Sequence, residues 1–243
     1  MSIARLIQMG AAGNVSSGDP YFSNVTCLIH FDGANGGTTF TDSSGNCTIT
    51  GNANAQTTTS EVKYGTASLN CNVAPAYVYV SSATTGVMDF GTGDFTIECW
   101  MYRTLDGSRD FVCDSRQNTG NDGSFFLRVD TDNKLEWAAN NISNIAKSTN
   151  TVPTNQWVHL AVAREGTDIR LFIDGNLEDT STLSSSLVDD TNGTYPPIIA
   201  TTGFLWGANF PALNGYMDDL RITKGVARYN ANFTPPTEPF PDN

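Results

Sequence analysis

Asp89-Phe-Gly-Thr-Gly-Asp-Phe-Thr-Ile-Glu-Cys-Trp-Met-Tyr102 is the stretch whose reading decides the fold of this chain. From Phe95 onward the residues alternate. Phe95, Ile97, Cys99 and Met101 fall on one side of an extended backbone, and Thr96, Glu98, Trp100 and Tyr102 on the other. Successive side chains of a strand point to opposite faces, so this period of two predicts a strand with one apolar face. The Gly-Thr-Gly-Asp before it is turn chemistry.

The same grammar runs outward in both directions. Val25-Thr-Cys-Leu-Ile-His-Phe31 is a near-continuous apolar strand. Ser124 to Asp130 and Leu135 to Ala139 read as a hairpin around Thr131-Asp-Asn-Lys134. Trp157 to Arg164 and Asp168 to Ile173 read as a second pair joined at Glu165-Gly166, and Asp174-Gly175 signals a type I′ turn into the next strand. Tyr216 to Thr223 is a late strand. No amphipathic helix of ten or more residues and no internal repeat interrupts the series, which excludes bundles, propellers and solenoids.

Composition agrees. Of 243 residues, 30 are Thr, 23 Asn and 22 Gly, while Leu (14), Glu (6) and Lys (4) are scarce. Thr and aromatics favour strands, Asn, Gly and Asp favour turns, and the scarce residues are the helix formers. The expectation is an all-β, antiparallel sandwich. The net charge of −12, with 13 Lys and Arg scattered singly, argues against a nucleic-acid partner, which needs a basic stripe. No apolar run reaches the ~18 residues of a membrane span. The five Cys (27, 47, 71, 99, 113) are odd in number and contain no C-x-x-C, so neither a complete disulfide framework nor a zinc ribbon is indicated. They read as buried reduced thiols, as in a reducing cytoplasm.

Both ends differ from the middle. Residues 1–24 read as an arm outside the core, with a turn-rich Gly10-to-Pro20 stretch. Met1 to Gly13 carries one Arg, and its apolar run is broken by Gln8 and Gly10, which does not read as a secretion signal. Residues 234–243 belong to a tail, Phe233 to Asn243, that holds four of the ten prolines and is expected to be extended.

Five ordered blocks carry a family resemblance: Leu28-Ile-His-Phe-Asp-Gly33 followed by Phe40-Thr-Asp-Ser-Ser-Gly45, then Asp89 to Trp100, Trp157-Val-His-Leu-Ala-Val-Ala-Arg164, Ile169-Arg-Leu-Phe-Ile-Asp-Gly175 and Gly215-Tyr-Met-Asp-Asp-Leu-Arg-Ile222. Over about residues 25–233 the chain resembles a laminin-G-like module of the concanavalin-A-like jelly-roll superfamily. That fold hosts lectins, adhesion modules, glycan-binding modules and glycosidases, so it does not by itself assign a function. Arg5-Leu-Ile-Gln-Met-Gly-Ala-Ala-Gly13 and Arg221 to Pro236 look like bacteriophage structural proteins that carry such modules. The resemblance implies a homo-oligomeric virion-surface protein, made in the host cytoplasm, on a capsid or tail. Its arms would dock to other virion proteins, and its module would meet a host-surface glycan. A free lectin-like or cell-surface carbohydrate-binding module, extracellular, is the alternative, and a glycoside hydrolase with a non-standard site is a third.

Catalytic signatures are missing from the sequence. The superfamily's glycosidases place Glu-x-Asp-x-Glu on one strand, where three acids face the sugar together, and no such triplet occurs here. Glu98 has Thr96 and Trp100 at i±2 instead. There is no G-x-S-x-G elbow, and with only His30 and His159 a multi-histidine zinc site is excluded. The expectation is a protein that is not an enzyme.

Two sites are expected on the resemblance. Calcium often binds laminin-G-like modules near their first and last strands, which here makes Asp32, Asp42, Asp218 and Asp219 its candidates. The competing reading is that these residues cap turns or hydrogen-bond backbone. For a glycan, the Glu98, Trp100 and Tyr102 face offers aromatic and hydrogen-bonding groups in a row. Arg128 and Arg170 from other strands, and Trp206 with Phe210 in a Gly-rich stretch, are further candidates. The competing reading has Trp100 packing in a second small core or against a loop.

Overall fold

The computed structural model describes residues 18–243 apart from 53, 74, 82–85, 106, 117–123, 140–145, 189–195 and 203–211. Its strands are β1 (Val25–Ile29), β2 (Thr48–Gly51), β3 (Gln56–Thr58), β4 (Ser68–Asn70), β5 (Val78–Ser81), β6 (Phe95–Arg103), β7 (Asp110–Asp114) and β8 (Phe125–Val129). They continue as β9 (Lys134–Ala139), β10 (Ala146–Thr151), β11 (Trp157–Glu165), β12 (Asp168–Ile173), β13 (Asn176–Thr182), β14 (Ile198–Ile199) and β15 (Gly215–Lys224). One sheet runs β13-β12-β11-β6-β15-β4-β3, with β1 also on β15. The other runs β10-β9-β8-β7-β14-β5-β2. Every pairing is antiparallel. The result is the all-β jelly-roll sandwich expected.

The core lies between the sheets. Phe95, Ile97, Cys99 and Met101 of β6 meet Phe125, Leu127 and Trp137 from the smaller sheet. Phe90 stacks on Phe95 at 4.2 Å between ring centroids. The type I′ signal is realised: Asp174 and Gly175 both have positive φ, 46° and 73°, and lead from β12 into β13.

The outer face of the larger sheet is largely covered as well. β15 shares one edge between β4 (at Tyr216 and Met217) and β1 (from Leu220), and its register slips between Asp218 and Arg221. Asp219 sits in that bulge with φ of 50°. Across the outer face run Gly18–Asn24 and the chain after β15. Phe240 is buried against Val25, Leu28 and Phe22, and the Asp19 amide donates to the Asn243 carbonyl at 2.6 Å. Residues 18–24 therefore belong to the folded domain, which corrects the assignment of all of 1–24 to an arm. Residues 1–17 lie outside the described residues.

Candidate functional site

Glu98, a surface candidate by sequence, is buried. Its Oε1 accepts from Arg221 Nη2 at 2.8 Å and Nε at 3.0 Å, and its Oε2 accepts from the Tyr229 hydroxyl at 2.7 Å, with His159 Nε2 at 3.2 Å. Arg221 and Arg228 both also bind the Asp19 carboxylate. Burial alone would raise the Glu98 carboxyl, but Arg221, His159 and Arg228 outweigh it and hold it at about 2. Trp100 is 5% exposed. The Lys63 ammonium lies 3.8 Å over its ring, and Tyr64 and His159 meet it edge-on. The expected row of Glu98 and Trp100 is thus sealed, with Trp100 packed against Lys63 and Tyr64 of the loop between β3 and β4. A buried carboxylate requires cations: Arg221 of β15 and Arg228 of the chain after it supply them, and Asp19, from the covering segment 18–24, binds both guanidiniums.

The other glycan candidates separate. Arg170 shares the outer face of the larger sheet but is ion-paired to Asp168 at 2.8 Å and Glu165 at 3.0 Å. Arg128 stands on the smaller sheet, paired with Glu136 at 3.1 Å and 4.5 Å from the Phe126 ring centroid, so it does not join that face. Trp206 and Phe210 lie outside the described residues.

The four candidate metal-binding aspartates serve as hydrogen-bond acceptors in separate settings. Asp42 Oδ1 accepts from the amides of Leu28 and Ser44, and Oδ2 from those of Asn46 and Cys47, while the Ser44 hydroxyl donates to both oxygens. Asp32 Oδ1 accepts from the Thr66 amide and hydroxyl. Asp218 Oδ2 accepts from the Lys63 amide at 2.9 Å and the Tyr64 amide at 3.1 Å. Asp219 contacts His30 Nδ1 and accepts from the Phe240 amide at 2.8 Å. Among the described residues these four do not converge into one ligand set. Asp42 has both oxygens saturated and Asp218 Oδ1 is buried without a partner, but the four carboxylates are held in separate settings and do not fit a shared calcium ion. Charge is managed otherwise. Burial, followed by the charge of Asp219, pushes Asp218 up to about 8. His30 lies between Asp219 and Asp242, and these two overcome burial to raise it to about 9.

A different row of groups stays accessible on the larger sheet. Strand register sets Trp157 of β11 opposite Tyr102 of β6, Tyr102 opposite Tyr216 of β15, Tyr216 opposite Asn70 of β4, and Asn70 opposite Gln56 of β3. Adjacent strands lie about 4.8 Å apart, so five strands carry the row across ~19 Å. Ring centroids are 5.7 Å apart for Trp157–Tyr102 and again for Tyr102–Tyr216, both edge-on. Trp157, the two tyrosines and Asn70 are half-buried, and Gln56 is exposed. Trp157 Nε1 donates to Glu61 Oε1 at 2.9 Å, which fixes the indole. Three aromatic rings continued by two carboxamides offer apolar faces beside planar donors and acceptors. Of the glycan candidates read from sequence, only Tyr102 belongs to this row. Tyr216 and Trp157 were visible as strand residues, but their register with Tyr102 was not.

A laminin-G-type family profile, described as the concanavalin A-like lectin/glucanases superfamily, matches residues 75–228. The chain belongs to that superfamily. No curated protein matches the chain in sequence. Domain 4 of an extracellular GH43 arabinanase from Geobacillus stearothermophilus, solved with arabinotriose, is similar at a TM-score of 0.60 and 16% identity, covering 84% of this chain and 94% of that one. The binding domain of botulinum neurotoxin serotype D matches at 0.58 and 13% identity, over 85% of this chain and 49% of that one. That of botulinum neurotoxin DC, in complex with SialylT, gives the same four values. This superfamily member thus spans about half the length of the toxin binding domains it matches. At these identities the likeness is one of fold.

Proposed function

We propose that this protein is a non-catalytic carbohydrate-binding module, displayed on a bacteriophage virion as a capsid decoration or tail appendage. The observation that carries the binding reading is the row Trp157–Tyr102–Tyr216–Asn70–Gln56. Aromatic faces take the apolar side of a sugar ring, and the carboxamides take its hydroxyls. Two of the fold relatives are solved with an arabinotriose and with SialylT, which supports a glycan as the ligand class. The sealed position of Glu98 and the missing acidic triplet support a non-catalytic role.

The virion reading rests on the resemblance of the terminal segments and on their placement. Gly18, where the described residues begin, packs against Asn243, so the two described ends of the chain lie side by side on the domain. A symmetric oligomer held there would present many weak glycan sites together to a host surface. The binding test is a glycan array followed by titration, with Trp157→Ala and Tyr216→Ala each weakening binding about tenfold, or ~1.4 kcal/mol. The display test is removal of residues 1–17, with incorporation into particles as the readout. Full incorporation of the trimmed protein contradicts docking through that segment. Micromolar glycan binding by an isolated monomer with no particle association favours a free lectin.

A further inference from the structure

Asp42 does more than cap a turn. Through its carboxylate it fastens residues 42–47 to β1: the Leu28 amide donates to it from the strand, and the Asn46 and Cys47 amides donate from the turn. The Ser43 amide donates to the Leu28 carbonyl, and Asn46 Nδ2 donates to the Val25 carbonyl. These contacts bracket Cys27 on both sides and bring the Cys47 thiol beside it. The two Sγ atoms and an Asp42 oxygen all lie within 4.8 Å of one another. Cys27 is fully buried, while Cys47 is half-buried and reachable.

From this geometry we propose that Cys27 and Cys47 form an intramolecular disulfide that locks β1 of the larger sheet to the entrance of β2 in the smaller one. The oxidant is a low-molecular-weight disulfide of the glutathione class. The Cys47 thiolate attacks one of its sulfurs, an S–S bond forms to Cys47, and one small thiolate leaves and takes up a proton. Cys27 then gives up its proton and attacks Cys47 Sγ, and the second small thiol leaves. Two protein thiols are oxidised and one small disulfide is reduced to two thiols. An S–S bond is about 2.05 Å long, so the two side chains turn towards each other as it closes. Burial, with the nearby Cys47 thiol and the Asp42 carboxylate, pushes the Cys27 thiol well above its ordinary value, so Cys47 is the sulfur that reacts first.

The same three groups could be read as a metal site. Asp42 argues against it, because each of its oxygens already accepts three donors, and a metal ion would have to displace them.

The test uses the full chain, reduced and then incubated in a glutathione redox buffer. Thiol titration under denaturing conditions is expected to fall from five to three, and peptide mapping to give one Cys27–Cys47 linkage. The melting midpoint should rise on the order of 5–10 °C, as for a closed loop of this length. Cys47→Ser should abolish all three changes, and Cys71→Ser should leave them intact. Five persisting thiols, a stable mixed disulfide on Cys47, or disulfide-linked dimers would overturn the proposal. So would stoichiometric zinc binding that protects both thiols and is reversed by EDTA.

Discussion

Glu98 organises the covered face of the larger sheet. Its carboxylate neutralises Arg221 and draws in His159 and Tyr229, and Asp19 completes the cluster through Arg221 and Arg228. Removing one partner of a buried pair typically costs about 3–5 kcal/mol, so Glu98→Gln is expected to destabilise by that order in urea unfolding at pH 7. The folded carboxyl sits at about 2 against an ordinary 4.5. Its contribution is therefore present above about 4.5 and fades as pH falls towards 2, and the gap between wild type and variant should close over that interval. His30 works in the other direction. Raised from 6.5 to about 9, it stabilises fully below 6.5 and loses that contribution through pH 9. Asp218, raised from 3.8 to about 8, keeps a proton that the unfolded chain releases, so it too disfavours folding as pH rises towards 8. The melting midpoint should fall between about pH 6.5 and 9, and His30→Gln should flatten the fall. A midpoint that rises over this range in calorimetry contradicts the assignment. The sequence placed Glu98 correctly on its strand and showed it has no acidic neighbour at i±2. It could not show the partners, because His159, Arg221 and Tyr229 arrive from 61, 123 and 131 residues away.

Among the elements, long strands were legible and short ones were not. The alternation of β6, the apolar β1, the hairpin of β8 and β9, and the Asp174-Gly175 turn follow from period and turn chemistry. β3, β4 and β14, with three, three and two residues, are too short to show a period, and β10 (Ala-Lys-Ser-Thr-Asn-Thr) has too few apolar residues to announce itself. Because Asn70 and Gln56 belong to β4 and β3, their half of the aromatic–amide row was hidden as well. The tail was legible only as an extended, Pro-rich piece. What it does depends on Phe240, which is 3% exposed and 3.9 Å from the Arg221 guanidinium. Truncating a buried Phe costs about 3–5 kcal/mol. Phe240→Ala should lower stability by that order and raise hydrogen exchange at the β1 amides, and an unchanged exchange pattern would mean the tail is not a structural strap.

For the whole molecule, the two faces of the larger sheet divide the work. Its inner face joins the core. Its outer face is closed over Glu98 by the terminal segments and over Trp100 by Lys63 and Tyr64, and stays accessible at the Trp157–Tyr102–Tyr216 end. The acidic, weakly charged composition pointed away from nucleic acid but said nothing of where a ligand sits, since that depends on cross-strand register. The decisive measurement is calorimetric titration of the best array glycan into wild type and into the Trp157→Ala/Tyr216→Ala double variant, with folding of both checked by thermal melting. Binding at the aromatic row predicts measurable affinity for the wild type and a loss of at least about tenfold in a variant that still melts cooperatively, the two rings sharing Tyr102 and so not acting independently. Equal affinity in the two proteins, or no glycan bound by the wild type, would contradict it.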